Sequence, residues 1–566
     1  MAGDSPDTAE AVNKDNDQNG SADEAVQVKE HHPLFFNFYI PSHVGPYLLY
    51  SKPIQRQTWA DHQSHPVVNW GDLFFDLFYV AAAYNLSNHI VRQSPTWRGL
   101  LYFVACYVTV MVLWWDKMYY DARYYTKDDV LHFGFEICVL VALGTAILHI
   151  RSVDTLSQTT QNIELFVFCL GIVAGTLLTI LRYAEILLIG VKGGKEAIIS
   201  SRRDIGLKTI PLILAIVAAV LAGRDFYNNN NNDSGTSYVS GNATDAAHRY
   251  LAGASATKST EIESNDVPIY FMLASGLSYH VGILIMLFTL PGKGGHKKVT
   301  VPMNVDFCIH RYGEWIMLML GENILSILIV EVSGGFDYYS TFFCAILSVV
   351  MLQYLHFRSQ PQHAEDHAMR RSREAGVAFV FLMQIYSGAL ILLGTSFKML
   401  LYEYSFIGRS KRRARMMLQF VPRWLAGGDG ALRFPTDDRR QRIAYFFCFS
   451  MATVWLCSDF MILTHQGIHL GMGRVQCPHT GKIRVKGVLL ILVRVVLIGF
   501  IATLCLYETD PAQLAVIGLA SIVTQIALRV FSMMFFGFNE FPQDELLHIE
   551  VKEELDDDEP TSHDTK

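Results

Sequence analysis

About twelve stretches of predominantly apolar residues run through this chain, near 70–90, 97–119, 130–150, 163–190, 205–222, 268–290, 305–331, 338–357, 376–401, 443–464, 486–507 and 512–536. Each is close to the roughly 20 residues that a helix needs to cross ~30 Å of hydrocarbon. Backbone groups in lipid must be paired within their own segment, and these runs show no strand-like alternation. The expected fold is therefore all-α, a polytopic transmembrane helix bundle of about twelve spans in the lipid bilayer. Composition agrees, since only 17% of residues are charged, against about 25% in soluble proteins. Which membrane it occupies and how many copies assemble are not legible.

The polar segments lie outside the spans. Residues 1–66 form a polar N-terminal tail expected to be disordered, and they lack the charged-then-apolar opening of a secretory signal. Residues 67–537 hold the transmembrane domain. Residues 538–566 form an acidic tail, and "KEELDDDEP" there supplies much of the net charge of −7. No basic-aromatic patch argues for nucleic acid. Most of the nine cysteines sit in apolar runs and read as small buried residues, not as a disulfide framework.

With the N-terminus in the cytosol, inside loops would hold Lys117, Arg123 and Lys127, then Lys192, Lys195, Arg202 and Arg203, then Lys293, Lys297 and Lys298, and later Arg358, Arg370, Arg371 and Arg373. That follows the positive-inside rule. The polar loop 223–267 then faces away from the cytosol, with glycosylation candidates at Asn232 and Asn242. The basic loop 402–442 falls on that same side. Either a miscounted span reverses the topology there, or a long basic interfacial helix is tolerated outside.

Charges inside the spans carry the functional expectation. In "NWGDLFFDLFYVAAAYNLSNHI", Asp72, Asp76, Tyr79, Ala83 and Ser87 fall on one helical face, while Phe74, Phe75 and Phe78 point elsewhere. An acid at mid-membrane costs at least ~2.5 kcal/mol, so it faces protein or a wet cavity. The plainer alternative places these aspartates at the helix N-terminus, where the dipole favours negative charge. A second span, "CIHRYGEWIMLMLGENILSILIVE", holds His310, Arg311, Glu314 and Glu322. There His310 and Glu314 are four apart, as are Glu322 and Ser326, and Arg311 can reach Glu314 at a separation of three. Glu322 sits near the middle of that run beside Gly321, which would allow a neighbouring helix to come close. It reads equally as a hydrogen-bonded structural acid or as a proton or cation site. His132 and Glu136 are one turn apart in the third span. Arg182 is a counter-charge for Glu322 or Asp76, or pairs locally with Glu185. Charges recurring in several spans are expected to share one network, because an unpaired one is expensive.

Those segments resemble a known family. "WGDLFFDLFYVAAAYNLS", "WWDKMYYDARYYTKDD" and "HRYGEWIMLMLGENILSI" are similar to stretches of the low-temperature-requirement A family of polytopic membrane proteins, and "LQYLHF" with "GALILLGTSFKMLL" resembles its later spans. The resemblance covers roughly residues 67–401. By position, Asp72 and Asp76 take the family's paired acids, Arg311 its arginine, Gly313 its glycine, and Gly321 with Glu322 its Gly-Glu. The sequence departs at His310, where the family has Glu, and at Asn323, where it has Ser. The resemblance implies a multi-pass membrane protein linked to growth in the cold and supplies no substrate. A shared Gly-acid opening of the first and seventh spans would fit a six-plus-six repeat.

No nucleophile elbow, dinucleotide fingerprint or P-loop is present, so an enzyme is not expected, and neither is a cofactor. The spacings His363/His367 and His465/His469, with Cys477 and His479 nearby, could suit zinc. They lack the glutamate of H-E-x-x-H and read as solvated loop histidines, so no metal is expected. The functional expectation is a transporter or channel-like protein for a small solute or ion, with Asp76, Arg311, Glu322 and Arg182 lining its polar core. The competing expectation is a non-transporting sensor or assembly factor whose charges are structural.

Overall fold

In a computed structural model of the chain, the described residues are 49–57, 70–126, 129–157, 163–191, 196–233, 265–289, 300–332, 334–361, 367–420, 436–465 and 485–536. All belong to one unit, Leu48–Lys566. Fourteen α-helices are described: α1 Trp70–Asn85, α2 Trp97–Arg123, α3 Val130–Leu148, α4 Val153–Ser157, α5 Ile163–Ile189, α6 Glu196–Asp233, α7 Val267–Thr289, α8 Val305–Leu328, α9 Phe336–Arg358, α10 Ala368–Arg371, α11 Arg373–Phe420, α12 Thr436–Thr464, α13 Val485–Leu504 and α14 Pro511–Phe536. The described strands, Ile54–Gln55 and Tyr124–Tyr125, form one short antiparallel pair. The fold is thus an all-α helix bundle.

Nine described helices are long and apolar enough to cross a membrane: α2, α3, α5, α6, α7, α9, α11, α12 and α14. The other long ones fall short for identifiable reasons. Helix α1 has 16 residues before it passes into a π-helical turn, Leu86–Val91. Helix α8 carries Asp306, Arg311, Glu314 and Glu322, a load that lipid would not accept on an outer helix. Of α13, the described apolar part is Leu492–Leu504.

Helix α2 is the hub. Its apolar window is 83% buried, against 28% for α3 and α7, the signature of a helix that is apolar all round and surrounded by others. Asp129 starts α3 by accepting the amide of His132 at 2.8 Å, and Asn304 starts α8 by accepting that of Phe307 at 2.9 Å, the usual service of an N-cap. Helices α1 and α8 run parallel, since Asp76 meets Arg311 and, one turn on, Tyr79 meets Trp315. Helices α11 and α12 run antiparallel, with Phe397 against Phe447 and His465 against Ala368.

That antiparallel crossing bears on the basic stretch after residue 400. Helix α11 continues to Phe420 as one helix of 48 residues, and α12 returns beside it. Among the described residues no further span intervenes. Asn242 and the tail 538–566 lie outside the described residues, as does nearly all of 1–66, and at Asn232 only the backbone is described, inside α6.

Candidate functional site

The intramembrane charges expected on α1, α3, α5 and α8 gather in two layers. The larger lies where α1, α3 and α8 begin and α2 and α5 end. Asp76 is fully buried. Its Oδ1 accepts from Trp114 Nε1 at 2.8 Å and from the Arg311 guanidinium at 2.7 Å. Arg311 also donates to Glu314 Oε2 at 2.6 Å, and His310 Nε2 lies 3.1 Å from the other oxygen of Glu314. Beside them Lys117 donates to Asp72 at 2.8 Å and to Asp121 at 2.5 Å, and stands 3.6 Å from Glu136. Arg182 closes the ring, 3.2 Å from Glu136 and 3.8 Å from Asp121. His132 bonds Asp129 and Glu185 at 2.6 and 3.1 Å, and Tyr50 donates to Glu185 at 2.8 Å.

This ring agrees with several sequence expectations and corrects others. The face of Asp72, Asp76, Tyr79, Ala83 and Ser87 is buried throughout. Phe74 is exposed as expected, but Phe75 is buried, because its ring packs on Tyr79 at 5.2 Å. The intrahelical pairs from His310 and Arg311 to Glu314 form as the periodicity dictates. His132 and Glu136 do not pair; each turns to a different partner on α5. Arg182 bridges neither Glu322, Asp76 nor Glu185, since Glu136 and Asp121 lie within its reach. Lys117 belongs to no loop: α2 runs on to Arg123, and the lysine is drawn in among three carboxylates.

The second layer lies toward the other end of α8, six residues before its last. Glu322 is buried, and its Oε1 accepts from Ser326 at 2.7 Å, the predicted i,i+4 contact. Lys398 of α11, also buried, belongs to the same layer, one turn on from the Gly394 that packs against Asn323, the neighbour of Glu322. The Lys398 ammonium donates to Asn88 Oδ1. Asn88 stands in the π-helical turn, with its own amide on the Tyr84 carbonyl at 2.9 Å. Such turns are rare and recur at functional sites. Gly321 admits no neighbour, for nothing lies within 4 Å of where its Cβ would be. The close approach is made by Gly394 of α11, whose Cβ would stand 2.0 Å from Asn323 Oδ1.

Between the layers lies an aromatic septum. Trp315 packs on Trp114 at 4.5 Å and on Tyr79 at 5.5 Å between ring centroids, and Met319 and Leu320 continue it, buried. Arg311 and Glu322 are eleven residues apart on one helix, so about 16 Å of largely apolar packing separates the layers.

His367 and His465 are both fully buried, with ring centroids 4.5 Å apart. The expectation of solvated loop histidines fails for these two: His367 N-caps α10 and packs on Phe379, and the end of α12 folds over it. Burial pushes the His465 imidazole down to about 3, with the charges of His356 and Arg371 acting the same way. Burial likewise holds His367 well below the usual histidine value. His363, His469, Cys477 and His479 lie outside the described residues. Among the described residues no group of three or more His, Cys, Asp or Glu side chains is arranged to hold a metal ion.

Fold and site together define a polytopic α-helical membrane protein with buried layers of ionisable side chains. The family model described as "Bacterial low temperature requirement A protein (LtrA)" matches residues 67–506. The chain belongs to the low-temperature-requirement A family, and is a multi-pass membrane protein. No curated protein and no solved structure matches it.

Proposed function

We propose that this protein moves a small solute or ion across its membrane, with protonation of the buried acids Asp76 and Glu322 coupled to the movement. One observation carries the reading. Each of these buried carboxylates has one oxygen bonded and one, Asp76 Oδ2 or Glu322 Oε2, without a hydrogen-bond donor. An ionised carboxylate so under-bonded costs several kcal/mol in a low-dielectric interior, and a proton relieves that cost. Two such acids on opposite sides of the Tyr79–Trp114–Trp315 septum suit alternating exposure, each layer exchanging protons with its own side. Arg311 and Lys117 then hold the larger layer's charge balance, and Lys398 that of the smaller.

A second reading has its own support. Asp72, Asp121, Glu136 and Glu314 all have a lysine or arginine within bridging distance, as a purely structural network would. Purified protein in liposomes, screened for movement of protons and of a panel of small ions and neutral solutes, separates the two. A folded wild type that moves none of them supports the non-transporting reading.

A further inference from the structure

A cavity of about 440 Å³ lies where α1, α8 and α11 begin and α9 ends, at the same end of the bundle as the larger charged layer. Its volume falls within the range of small-molecule sites, which are mostly apolar with a few placed polar groups. Leu73, Met317, Leu318 and Met383 supply apolar walls, and Phe357 and Phe379 aromatic ones.

Three lining residues each hold a buried nitrogen with no hydrogen-bond partner: Gln360 Nε2, His356 Nδ1 and His367 Nε2. His356 is 1% exposed and His367 0%. Packing fixes both rings, His356 stacked on Tyr386 at 5.2 Å and His367 edge-on to Phe379 at 4.5 Å between centroids. His367 Nδ1 already receives the Met369 amide at 3.3 Å, which leaves the proton of the neutral ring on Nε2. Buried polar atoms without partners cost stability, and three around one space point to a bound group that completes them. Gly313 supports the same conclusion. It lines the cavity, and no described neighbour requires a glycine there, since its Cβ would stand 3.7 Å from the Phe357 ring, an ordinary contact. The missing side chain keeps the cavity open, at the cost in stability of a glycine inside a helix.

The ligand's charge follows from the lining. Among the described residues no lysine or arginine lines the cavity, so none is offered to an anion. The lining carboxylate, Glu314, is engaged by Arg311 at 2.6 Å and by His310 at 3.1 Å, so it does not call for a cation.

We propose that this cavity binds a small uncharged carboxamide carried on a compact apolar body. A carbonyl oxygen has two lone pairs for the His367 and Gln360 donors, and the amide N–H serves His356, whose neutral ring holds one acceptor nitrogen. The proposal deepens the transport reading by naming a solute class, and rests on that reading only in calling the ligand a transported one. Binding is measured without a gradient, so a failed site and a failed transporter give different results.

Fluorine NMR follows 4-fluorobenzamide titrated into detergent-solubilised full-length protein, with 4-fluorobenzoate and 4-fluorobenzylamine as its anionic and cationic counterparts. The amide should bind saturably and about tenfold more tightly than either ion, which would be desolvated without a counter-charge. His356→Phe and Gln360→Leu should each weaken it about fivefold, the worth of one neutral hydrogen bond. Neither should lower the unfolding midpoint, because each removes a polar atom that lacks a partner. Gly313→Leu fills the cavity and should abolish binding, while Gly321→Leu, in open space further along the same helix, should leave it intact. No saturable binding of the amide, ions that bind equally well, or amide binding that Gly313→Leu leaves unchanged overturns the proposal and leaves a cavity that holds water alone. Binding with the expected pattern but no movement of the amide into liposomes keeps the site and counts against transport.

Discussion

Replacing Asp76 by Asn keeps the side chain's volume and removes its charge, which isolates the ion pair with Arg311. The carboxylate is completely buried and the guanidinium side chain is 5% exposed, at 2.7 Å. Removing one partner of such a pair leaves the other charged in a poor solvent, a loss of about 3–5 kcal/mol. Asp76→Asn belongs at the lower end, because Arg311 retains Glu314 at 2.6 Å. Arg311→Met is the more severe change: it leaves Asp76 with Trp114 alone and Glu314 with His310. The double variant carries neither charge. Its destabilisation should fall short of the summed single effects by about 2–3 kcal/mol, the coupling expected of residues in direct contact. Thermal and denaturant unfolding in detergent, followed by tryptophan emission, reads all four proteins, and Trp114 reports the site directly. Additive effects, or single effects below about 0.5 kcal/mol, would refute the claim that this pair holds α1 to α8.

The buried histidines predict a pH dependence. Both folded values lie below the usual 6.5, so the fold favours neutral imidazole: this stability is complete above pH 6.5 and is lost as pH falls below it. Between pH 6.5 and 5.5 each histidine should cost about 1 kcal/mol. The thermal midpoint should therefore drop over that range, and the drop should shrink in His465→Gln; equal drops in both proteins would count against it. At the helix crossing beside Glu322, Gly394→Ala drives a methyl into Asn323 and should destabilise by about 1–3 kcal/mol. Gly321→Ala, into open space, should leave the unfolding midpoint unchanged or raise it slightly. If the two glycine variants behave alike in unfolding scans, the assignment of the close contact is wrong.

The legible parts of the molecule were those set by short-range periodicity. Long apolar runs gave the helices, and the contacts of Glu314 with His310 and Arg311, and of Glu322 with Ser326, follow from spacings of three and four on one helix. The buried face of α1 followed from the same rule, apart from Phe75. What escaped were partners brought together by packing. Lys117, Lys208 and Lys398 look like helix-flanking cations, yet acids or amides on other helices draw each inward. Arg182 offered three plausible acids and took two others. Periodicity also cannot say which glycine faces a neighbour, so Gly321 drew the attention that belongs to Gly394. His367 and His465 stand far apart in sequence, and their spacings to other histidines concealed that they meet each other. Helix α11 outruns its apolar stretch because "KRRARMMLQF" is rich in helix-forming residues.

The most direct measurement follows internal pH in liposomes holding wild-type protein or Glu322→Gln, each checked for an intact fold, while a solute gradient is imposed. Wild-type protein should carry protons along with the solute, and the glutamine variant should lose that coupling. Proton movement of equal rate in both proteins would contradict the role given to the acid beside Lys398.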